Sequence, residues 1–449
     1  MYTPHTPQDI RAMLEVIGAP SLEALTDPPK GLAIKGELDV APALPEAEAY
    51  AHIRAMADEN AAAHMTSFLG AGAYRHYQPP AVPYFAFRSE FLTSYTPYQA
   101  EASQGSLQAI FEWQTYICLL TGMDVSNASV YDGSTALVEG VIMAAQATGR
   151  KRVAVSRAVH PLYRRVLATY AEGMGIGIEE LDCDASGRTL VPRSIGDEIG
   201  ALVVQSPNFF GAIDAVGEAA AAAHRAGALA IHVCAEALSL AVLKTPRELG
   251  VDIAVGDAQS FGLPVGYGGP YVGFVATTKE YVRRLPGRLV GETHDVDGRR
   301  AFVLTLQGRE QHIRRELASS NICTNQALCA LIATIYLATV GRKGLTSIAS
   351  ANMANARALA RAIGAVPGFG IAFDGAYFNE FVARTPLPAA ELCARLEKRG
   401  ILAGLPLSRF YPELVHELLV CATELTTPAQ IDDFANALAQ ECKHAVAAV

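Results

Sequence analysis

The middle of the chain alternates between short apolar runs and longer stretches in which apolar residues recur every three or four positions. The runs are rich in valine, isoleucine and alanine, which is typical of buried strands, and the spacing in the longer stretches is that of amphipathic helices. Strands separated by helices of about 10–15 residues predict a mostly parallel sheet with helices on both faces. The strands are predicted within RVAVSRAVH, IGIEELDC, GALVVQSPNF, ALAIHVCAEAL and VDIAVGD.

Ligands of such a sheet bind outside the carboxyl ends of its strands. Here these ends fall at His160, Pro207-Asn208, Cys234 to Glu236 and Asp257 to Ser260. The last of them continues into a loop dense in glycine and proline, GLPVGYGGP, and then into a second strand, YVGFVATT. Glycine lets a backbone approach a ligand or another chain closely, so we expect the functional part of the sheet at this end.

The segments on either side of this sheet predict two further units. Residues 1–65 form a helical arm, whose first helix runs from the N-cap signal Thr6-Pro7 to Gly18. Residues 66–340 form the large α/β domain. The remaining chain has the order helix, strand, helix, two strands and helix, which predicts a small C-terminal α+β domain over 341–449.

Composition and charge narrow the class of protein. The 449 residues are 51% hydrophobic and 18% charged, which is enough for a large buried core. The net charge is −9 without any basic run, which argues against a nucleic-acid partner. No segment reaches the roughly 18–20 consecutive apolar residues of a membrane span, and the N-terminus lacks the apolar core of a signal peptide. Eight scattered cysteines form no CxxC pair, so we expect reduced thiols, no metal site and a cytoplasmic protein.

Asp132-Gly133-Ser134-Thr135 precedes a predicted helix and has two interpretations. The N–H groups and the positive dipole end of a helix start suit a phosphate. A plain N-cap without a ligand is the commoner meaning of such a sequence, and we expect a structural role here.

Six stretches carry motifs that periodicity does not describe: YTPYQAEASQG (95–105), ICLLTGMDVSNASVYDGSTALVE (117–139), QSPNFFG (205–211), GYGGPYVGF (266–274), PGRLVGETHDVDG (286–298) and LQGREQHIRRELASSNICTNQAL (306–328). Together they resemble the glycine decarboxylase P-protein, and specifically the separate N-terminal half that is called subunit 1 or the α chain where this enzyme is split in two. The resemblance covers essentially the whole chain. It implies the fold type I architecture of pyridoxal phosphate (PLP) enzymes, an α/β fold with a mostly parallel central sheet, flanking helices, an N-terminal helical arm and a small C-terminal α+β domain.

The resemblance also implies a reaction, the first step of glycine cleavage. Glycine loses its carboxylate as CO2, and the remaining aminomethyl group passes to the lipoyl group of H-protein. PLP supplies the electron sink, and protein groups orient and tune it. Such an enzyme holds PLP through a Schiff-base lysine. By resemblance that position here is Gln259, and the chain has no lysine between Lys244 and Lys279.

A second requirement is an acidic group beside the pyridinium nitrogen of PLP. The preceding strand offers Val233 or Cys234 at that place, and period-2 alternation puts the nearest acid, Glu236, on the opposite face. We therefore expect PLP on a homologous β chain, and no cofactor bound covalently to this one. The assembly is an αβ pair or its dimer, an α2β2 heterotetramer.

The resemblance points to three groups of side chains in this chain that would wall a site shared with the β chain. They are Tyr95, Tyr98 and Gln99 in the YTPYQ loop, Ser320, Asn321 and Thr324 in SSNICT, and Arg309, His312, Arg314 and Arg315 in REQHIRR. The SSNICT residues are expected to open a helix and to reach toward the partner's PLP phosphate. The REQHIRR residues are expected to receive a carboxylate, a phosphate or the acidic H-protein.

Each group also has a purely structural interpretation. The tyrosines would pack the loop, the arginines would pair with Glu310 and Glu316, and His312 would be an ordinary hydrogen-bonded histidine. Two positions depart from the family pattern, because Leu317 stands where lysine is usual and Gly308 where threonine is usual. Both leave the detailed contacts of this segment open.

Three functions remain at this point. The first is a catalytic partner subunit of glycine decarboxylase, which the motifs favour. The second is a non-catalytic scaffold or regulatory pseudoenzyme that only stabilises the β chain. The third is a self-sufficient PLP enzyme that uses Lys244 or Lys279, although ATTKEYV makes Lys279 a typical solvated lysine at a helix start.

Overall fold

The computed structural model describes residues 4–446, except 27, 29, 30, 33, 35, 37 and 323, and their side chains as far as residue 441. The chain divides into two compact units, Met1–Ala61 and Ala62–Val449. Two of the eight cysteines, Cys323 and Cys442, lie outside the described residues or side chains, and the other six are free thiols. Within the described part of the chain, no group of three histidine, cysteine, aspartate or glutamate side chains is placed to hold a metal ion.

The helices and strands are numbered in chain order. The α-helices are α1 Pro7–Ile17, α2 Leu22–Thr26, α3 Glu46–Asp58, α4 Ala81–Ala86, α5 Ser89–Leu92, α6 Gln104–Thr121, α7 Gly133–Thr148, α8 Pro161–Met174, α9 Val216–Arg225, α10 Gln311–Arg314, α11 Ala327–Gly364, α12 Ala389–Glu397 and α13 Pro428–Val446. The strands are β1 Thr66–Ser67, β2 Val125–Ser126, β3 Arg152–Ser156, β4 Gly177–Leu181, β5 Ile199–Gln205, β6 Leu229–Cys234, β7 Ile253–Asp257, β8 Gly273–Thr277, β9 Val290–His294, β10 Arg300–Leu304, β11 Gly370–Ile371, β12 Glu380–Arg384, β13 Ile401–Leu402, β14 Leu405–Pro406 and β15 Glu417–Cys421.

In the N-terminal unit, α1 begins and ends where its sequence signals predict. The Thr6 hydroxyl accepts from the Asp9 N–H, the Asp9 carboxylate accepts from the Thr6 N–H, and Pro7 is the first helical residue. Gly18 ends the helix with a φ of 74°. No described residue of α1, α2 or α3 is buried, so within this unit apolar side chains such as Ile53 remain exposed.

The central sheet of the second unit has seven strands in the order β2-β8-β7-β6-β5-β3-β4. The pairs from β7 to β4 are parallel, while β8 runs antiparallel to β7 and β2 antiparallel to β8. This confirms the predicted α/β fold with a mostly parallel sheet. Apolar side chains alternate between two cores, since Val153 and Ile231 pack with α7 and α8 whereas Ala154 and Ala230 pack with α6, α9 and α11.

The C-terminal part of the second unit has a four-stranded antiparallel sheet in the order β11-β12-β15-β14. Residues of α11, α12 and α13 share one core cluster with it. A parallel pair, β1 with β13, ties Thr66–Ser67 to Ile401–Leu402. Contacts keep Ala62–Val449 together as one unit, so the predicted domain boundaries remain a prediction.

The long helix α11 spans the predicted boundary and is not continuous. Gly341 has φ 60° and ψ 179°, which interrupts the helical backbone and joins two helical segments at an angle. By length and composition, α11 is the one helix among the described residues that is apolar enough to cross a membrane. Buried residues of its first part, including Ala333 and Tyr336, belong to the core beneath the central sheet, whereas Ala356 and Leu359 belong to the C-terminal core.

Gly256 is the fourth residue of β7 and pairs with Cys234 of β6 and Phe274 of β8. Its substitution tests how closely these three strands pack. A Cβ there would press on the Cys234 carbonyl and stand 2.7 Å from Cζ of Phe274. We expect Gly256→Ala to lower the free energy of unfolding by about 1–3 kcal/mol, measured by urea denaturation. Gly173→Ala in α8, where a Cβ meets nothing within 4 Å, is the control and should raise it by about 0.5–1 kcal/mol. Equal effects of the two substitutions would contradict this packing.

Candidate functional site

Gln259 lies just beyond the carboxyl end of β7 and is fully engaged in hydrogen bonds. Its side-chain carbonyl accepts from the Tyr74 N–H at 2.9 Å, and its amide donates to the Tyr74 carbonyl at 2.9 Å and the Leu263 carbonyl at 2.7 Å. Its backbone N–H donates to the Asp257 carboxylate at 2.9 Å. The residue is 1% exposed, so both amide N–H groups are consumed inside the protein.

The segment that closes this edge is residues 68–76, which we call the plug loop. The Ala71 carbonyl lies 2.8 Å from Nε2 of His160, and the Ala71 N–H donates to the Glu380 carboxylate at 2.6 Å. Gly72 has a φ of 96°, and a Cβ there would stand 2.8 Å from the His160 ring, so the close approach requires glycine. The plug loop therefore lies across the ends of β3 and β7, where ligands of this fold bind.

Glu236 faces the plug loop, and the expectation that it lies on the opposite face is wrong. Strand β6 ends at Cys234, so alternation no longer applies two residues later, where Glu236 caps a 3-10 turn through the Leu238 N–H. The Glu236 carboxylate lies 3.1 Å from Nε2 of His76 and accepts from Nδ2 of Asn379 at 3.0 Å. This carboxylate thus ties the strand end to the plug loop.

His76 lies between two carboxylates. Its Nδ1 is 2.8 Å from Glu424 and its side chain is 2% exposed. Burial disfavours the charged ring, but Glu236 and Glu424 outweigh burial and raise the pKa of His76 to about 9. The charged ring therefore stabilises the fold fully below its unfolded pKa of roughly 6.5, and this stabilisation is lost as the pH rises through about 9.

Glu380 is a second buried carboxyl group against the plug loop. It accepts from the Tyr74 hydroxyl at 2.8 Å as well as from the Ala71 N–H. Burial raises the pKa of Glu380 to about 7, and these two hydrogen bonds offset only part of that rise.

The helix start that would suit a phosphate is already filled by carboxyl groups of this chain. The Asp132 carboxylate accepts from the Thr135 N–H and the Ser134 hydroxyl, both at 2.7 Å. The Gly133 N–H donates to Asp257 at 2.9 Å, and burial raises the pKa of Asp257 to about 7. This arrangement agrees with the structural interpretation of Asp132 to Thr135.

The tyrosines and the glutamine of YTPYQ lie at the surface. Tyr95 and Tyr98 are 74% and 75% exposed, and Gln99 is also exposed. Between them the Thr96 hydroxyl accepts from the Arg288 guanidinium at 3.4 Å, while Pro97 is buried. The two tyrosines are therefore presented outward rather than packed into the loop.

The SSNICT residues do not open a helix, which corrects that expectation. Helix α11 begins at Ala327, because the preceding residues are held by another loop. Asn325 donates to the Ala128 carbonyl at 3.1 Å and to the Ser129 hydroxyl at 3.0 Å, and the Gln326 N–H donates to the same hydroxyl. The predicted residues Ser320, Asn321 and Thr324 thus lie in an irregular segment, with Asn321 exposed and the other two partly buried.

The REQHIRR side chains separate into two groups. Arg309 and Arg314, together with Arg283, border a cavity of about 350 Å³. Arg309 donates to the Leu285 carbonyl, while its Nε and Nη2 are buried without a hydrogen-bond partner in the described structure. Burial lowers the pKa of Arg309.

The other two candidates of this motif lie outside that cavity. The His312 ring is half exposed and 3.8 Å from Glu310, and Arg315 is exposed with a φ of 53°. Among the described residues, no ion pair within 4 Å joins Arg309, Arg314 or Arg315 to Glu310 or Glu316, so the intrachain salt bridges that the structural interpretation requires are not formed.

Sequence reasoning did not find Tyr74, His76, Glu380, Arg283 and Arg288. The plug loop was recognisable as an ordered segment rich in glycine and aromatic residues. Its partners were not, since 348 residues separate His76 from Glu424. Arg283 lies in KEYVRR and Arg288 in the stretch PGRLVGETHDVDG, but no local pattern distinguishes either arginine from its charged neighbours.

This chain is similar to known proteins in both sequence and structure. The family model of the glycine cleavage system P-protein matches residues 1–438. A protein of Moorella thermoacetica described as probable glycine dehydrogenase (decarboxylating) subunit 1 is 48% identical over 441 residues, which cover 97% of this chain and 98% of that protein. The crystal structure of a glycine decarboxylase (P-protein) of the glycine cleavage system, in inhibitor-bound form, superposes with a TM-score of 0.91 at 47% identity, over 98% of this chain and 99% of that one. A glutamate decarboxylase of Lactobacillus brevis matches with a TM-score of 0.68 at 16% identity, over 92% of this chain and 95% of that one, which shows the fold alone.

Glu380→Gln tests the burial of charge beneath the plug loop. Because the pKa of Glu380 is raised to about 7, the native state binds more protons than the unfolded state between about pH 4.5 and pH 7, and stability falls as the pH rises through that range. We expect Glu380→Gln to flatten this fall, measured as the free energy of urea unfolding at several pH values. Glu391→Gln, in an exposed pair with Arg395 on α12, is the control and should keep the wild-type slope. A wild-type slope in Glu380→Gln would show that the carboxyl is ionised throughout.

Proposed function

We propose that this chain, which belongs to the glycine cleavage system P-protein family, acts as subunit 1 of glycine dehydrogenase (decarboxylating) and is active only with a second, homologous β chain. In the pair, glycine would lose its carboxylate as CO2 and its aminomethyl group would pass to the lipoyl group of H-protein. The full-length similarity to proteins described as subunit 1 supports the division into two chains.

This proposal rests on the identity of Gln259 and on the hydrogen bonds that its side chain makes. A Schiff base needs an amine nucleophile, and a carboxamide whose N–H groups bind the Tyr74 and Leu263 carbonyls cannot supply one. No lysine stands between Lys244 and Lys279. We therefore assign the lysine to the β chain.

Two further features of this chain do not fit PLP. The plug loop lies across the strand ends where a cofactor of this fold would bind, and it is fixed there by contacts with His160 and Glu380. The N-terminus of α7 offers its N–H groups to Asp132 and Asp257, and these carboxyl groups oppose a phosphate by charge and by occupancy. These features support our assignment of PLP to the β chain, and no step of the reaction is assigned to a cofactor in this one.

We assign surface residues of this chain to the shared site. Tyr95 and Tyr98 are exposed, polar-tipped aromatic side chains, the type that is enriched where one protein meets another. The cavity bordered by Arg309 and Arg314 presents guanidinium groups that form no ion pair within 4 Å with a carboxylate of the described residues, which suits a carboxylate or phosphate of the substrate or partner. The proposed roles are contact, orientation and exclusion of water, all supplied to a reaction centre on the other chain.

Reconstitution tests the division of labour. We expect no glycine-dependent exchange of labelled CO2 with either chain alone, and exchange when the two are mixed with lipoylated H-protein and PLP. Borohydride should fix PLP to the β chain, seen as a mass increase on that chain only. Exchange by this chain alone, or borohydride labelling of Lys244 or Lys279, would overturn the proposal in favour of a self-sufficient enzyme.

Substitutions at the surface separate a catalytic partner from a scaffold. We expect Tyr98→Ala and Asn321→Ala to reduce the exchange rate of the assembled complex about tenfold or more, which corresponds to about 1.4 kcal/mol of transition-state stabilisation. Asn436→Ala, at an exposed position on α13, is the control and should retain the wild-type rate. Complex formation is checked by size-exclusion chromatography with light scattering. Wild-type rates in both test variants would support a chain that only stabilises its partner.

A further inference from the structure

A stretch of unusual surface follows the plug loop directly. We call residues 77–99 the rim segment. It exposes large apolar or aromatic side chains throughout its length, namely Tyr77, Tyr84, Phe85, Phe87, Leu92, Tyr95 and Tyr98, each between 45% and 75% exposed. So many exposed aromatic side chains in one short segment are typical of a surface that another protein covers.

The rim segment is attached to the rest of the second unit near its two ends and in its centre. Toward its C-terminal end, Thr96 accepts from Arg288 at the long distance of 3.4 Å. In its centre, Val82 and Ala86 of α4 are buried in the core shared with α11. At its N-terminal end, the Tyr77 N–H donates to the Glu424 carboxylate at 2.6 Å.

The N-terminal attachment belongs to a buried ionic cluster. The same Glu424 carboxylate lies 2.8 Å from Nδ1 of His76, whose Nε2 is 3.1 Å from Glu236. Asn379 completes the cluster by donating to Glu236 at 3.0 Å. The plug loop, the end of β6 and the segment after β15 therefore meet at one imidazole ring, and the start of β12 joins the cluster through Glu236.

Such a cluster restricts geometry more than it adds stability. The cost of taking charges out of water offsets much of their attraction, and removing one partner leaves the others buried and uncompensated. Both ring nitrogens of His76 have a carboxylate at hydrogen-bonding distance, one on each side, which restricts the placement of residue 76. The position of the residue next to it, where the rim segment begins, is fixed by the same requirement.

We propose that His76 is a positioning residue of the shared site, and that its pairing with Glu236 and Glu424 holds the rim segment in the arrangement onto which the β chain docks. In this chain, the strand ends that could bind a cofactor would thus serve to anchor a docking surface. The proposal rests on the proposed function, because the occupant of the rim segment is the homologous second chain. His76 acts through the rim segment and contacts neither substrate nor cofactor.

Hydrogen exchange measured by mass spectrometry on this chain alone tests the positioning directly. We expect His76→Gln to accelerate exchange of amides in residues 77–92 about tenfold, while peptides from β5, β6 and β7 exchange as in wild type. Glu424→Gln should give a smaller acceleration in the same peptides, because it keeps an acceptor for the Tyr77 N–H. His224→Gln is the matched control. His224 lies on α9, is half exposed and has its Nε2 2.8 Å from the Asp252 carboxylate. This substitution should leave the exchange rates of residues 77–92 unchanged.

Hydrogen exchange of either variant can test the proposal if the other variant does not keep the wild-type fold. If His76→Gln loosens the central strands as well, the milder Glu424→Gln remains the test. Wild-type exchange over residues 77–99 in a folded His76→Gln or in Glu424→Gln would overturn the positioning role.

The assembled enzyme gives a second readout that a purely structural role would not produce. We expect His76→Gln to weaken binding of the β chain about tenfold, with the CO2 exchange rate per complex largely restored at saturating β chain. A rate that stays low at saturation, or unchanged affinity, would contradict docking through the rim segment. If the wild-type mixture shows no exchange at all, the proposed function fails, and hydrogen exchange still decides the role of His76.

Discussion

A reciprocal pair of hydrogen bonds between the Gln259 side chain and the backbone of Tyr74 is the constraint on which the rest of the site depends. One amide group satisfies both the N–H and the C=O of a buried residue, which backbone groups inside a protein require. With Tyr74 fixed in this way, its hydroxyl reaches Glu380, and two residues later His76 reaches Glu236 and Glu424. The carboxyl edge of the central sheet is therefore closed by the chain itself.

The sequence predicted the layers of the fold well because their signals are local. Runs such as VDIAVGD and ALAIHVC are apolar throughout, as strands buried on both faces must be, and Gly18 and Thr6 mark a helix end and start by their own chemistry. The motifs pointed to the family for the same reason. Gln259 could be recognised because a missing lysine is visible in the sequence itself.

The site could not be predicted to the same extent, because its contacts join distant parts of the chain. Glu236 was misplaced by extending strand alternation beyond the end of β6. The start of α11 was misplaced because Asn325 and Gln326 are held by Ser129, nearly two hundred residues earlier. No pattern in SSNICTNQAL indicates that tether, and none in the glycine-rich plug loop indicates which glutamates it contacts.

The two carboxyl groups at the start of α7 restrict how such a chain could evolve to bind the cofactor by itself. A change of Gln259 to lysine would place an ammonium group among the bonds that Tyr74 and Leu263 now make, yet Asp132 and Asp257 would still occupy the helix N-terminus and the plug loop would still cover the strand ends. For this chain to bind the cofactor by itself, several substitutions would be needed at once, and each would be unfavourable without the others. Under the proposed division between two chains, a chain whose own carboxyl groups fill this helix start would depend on its partner for the cofactor.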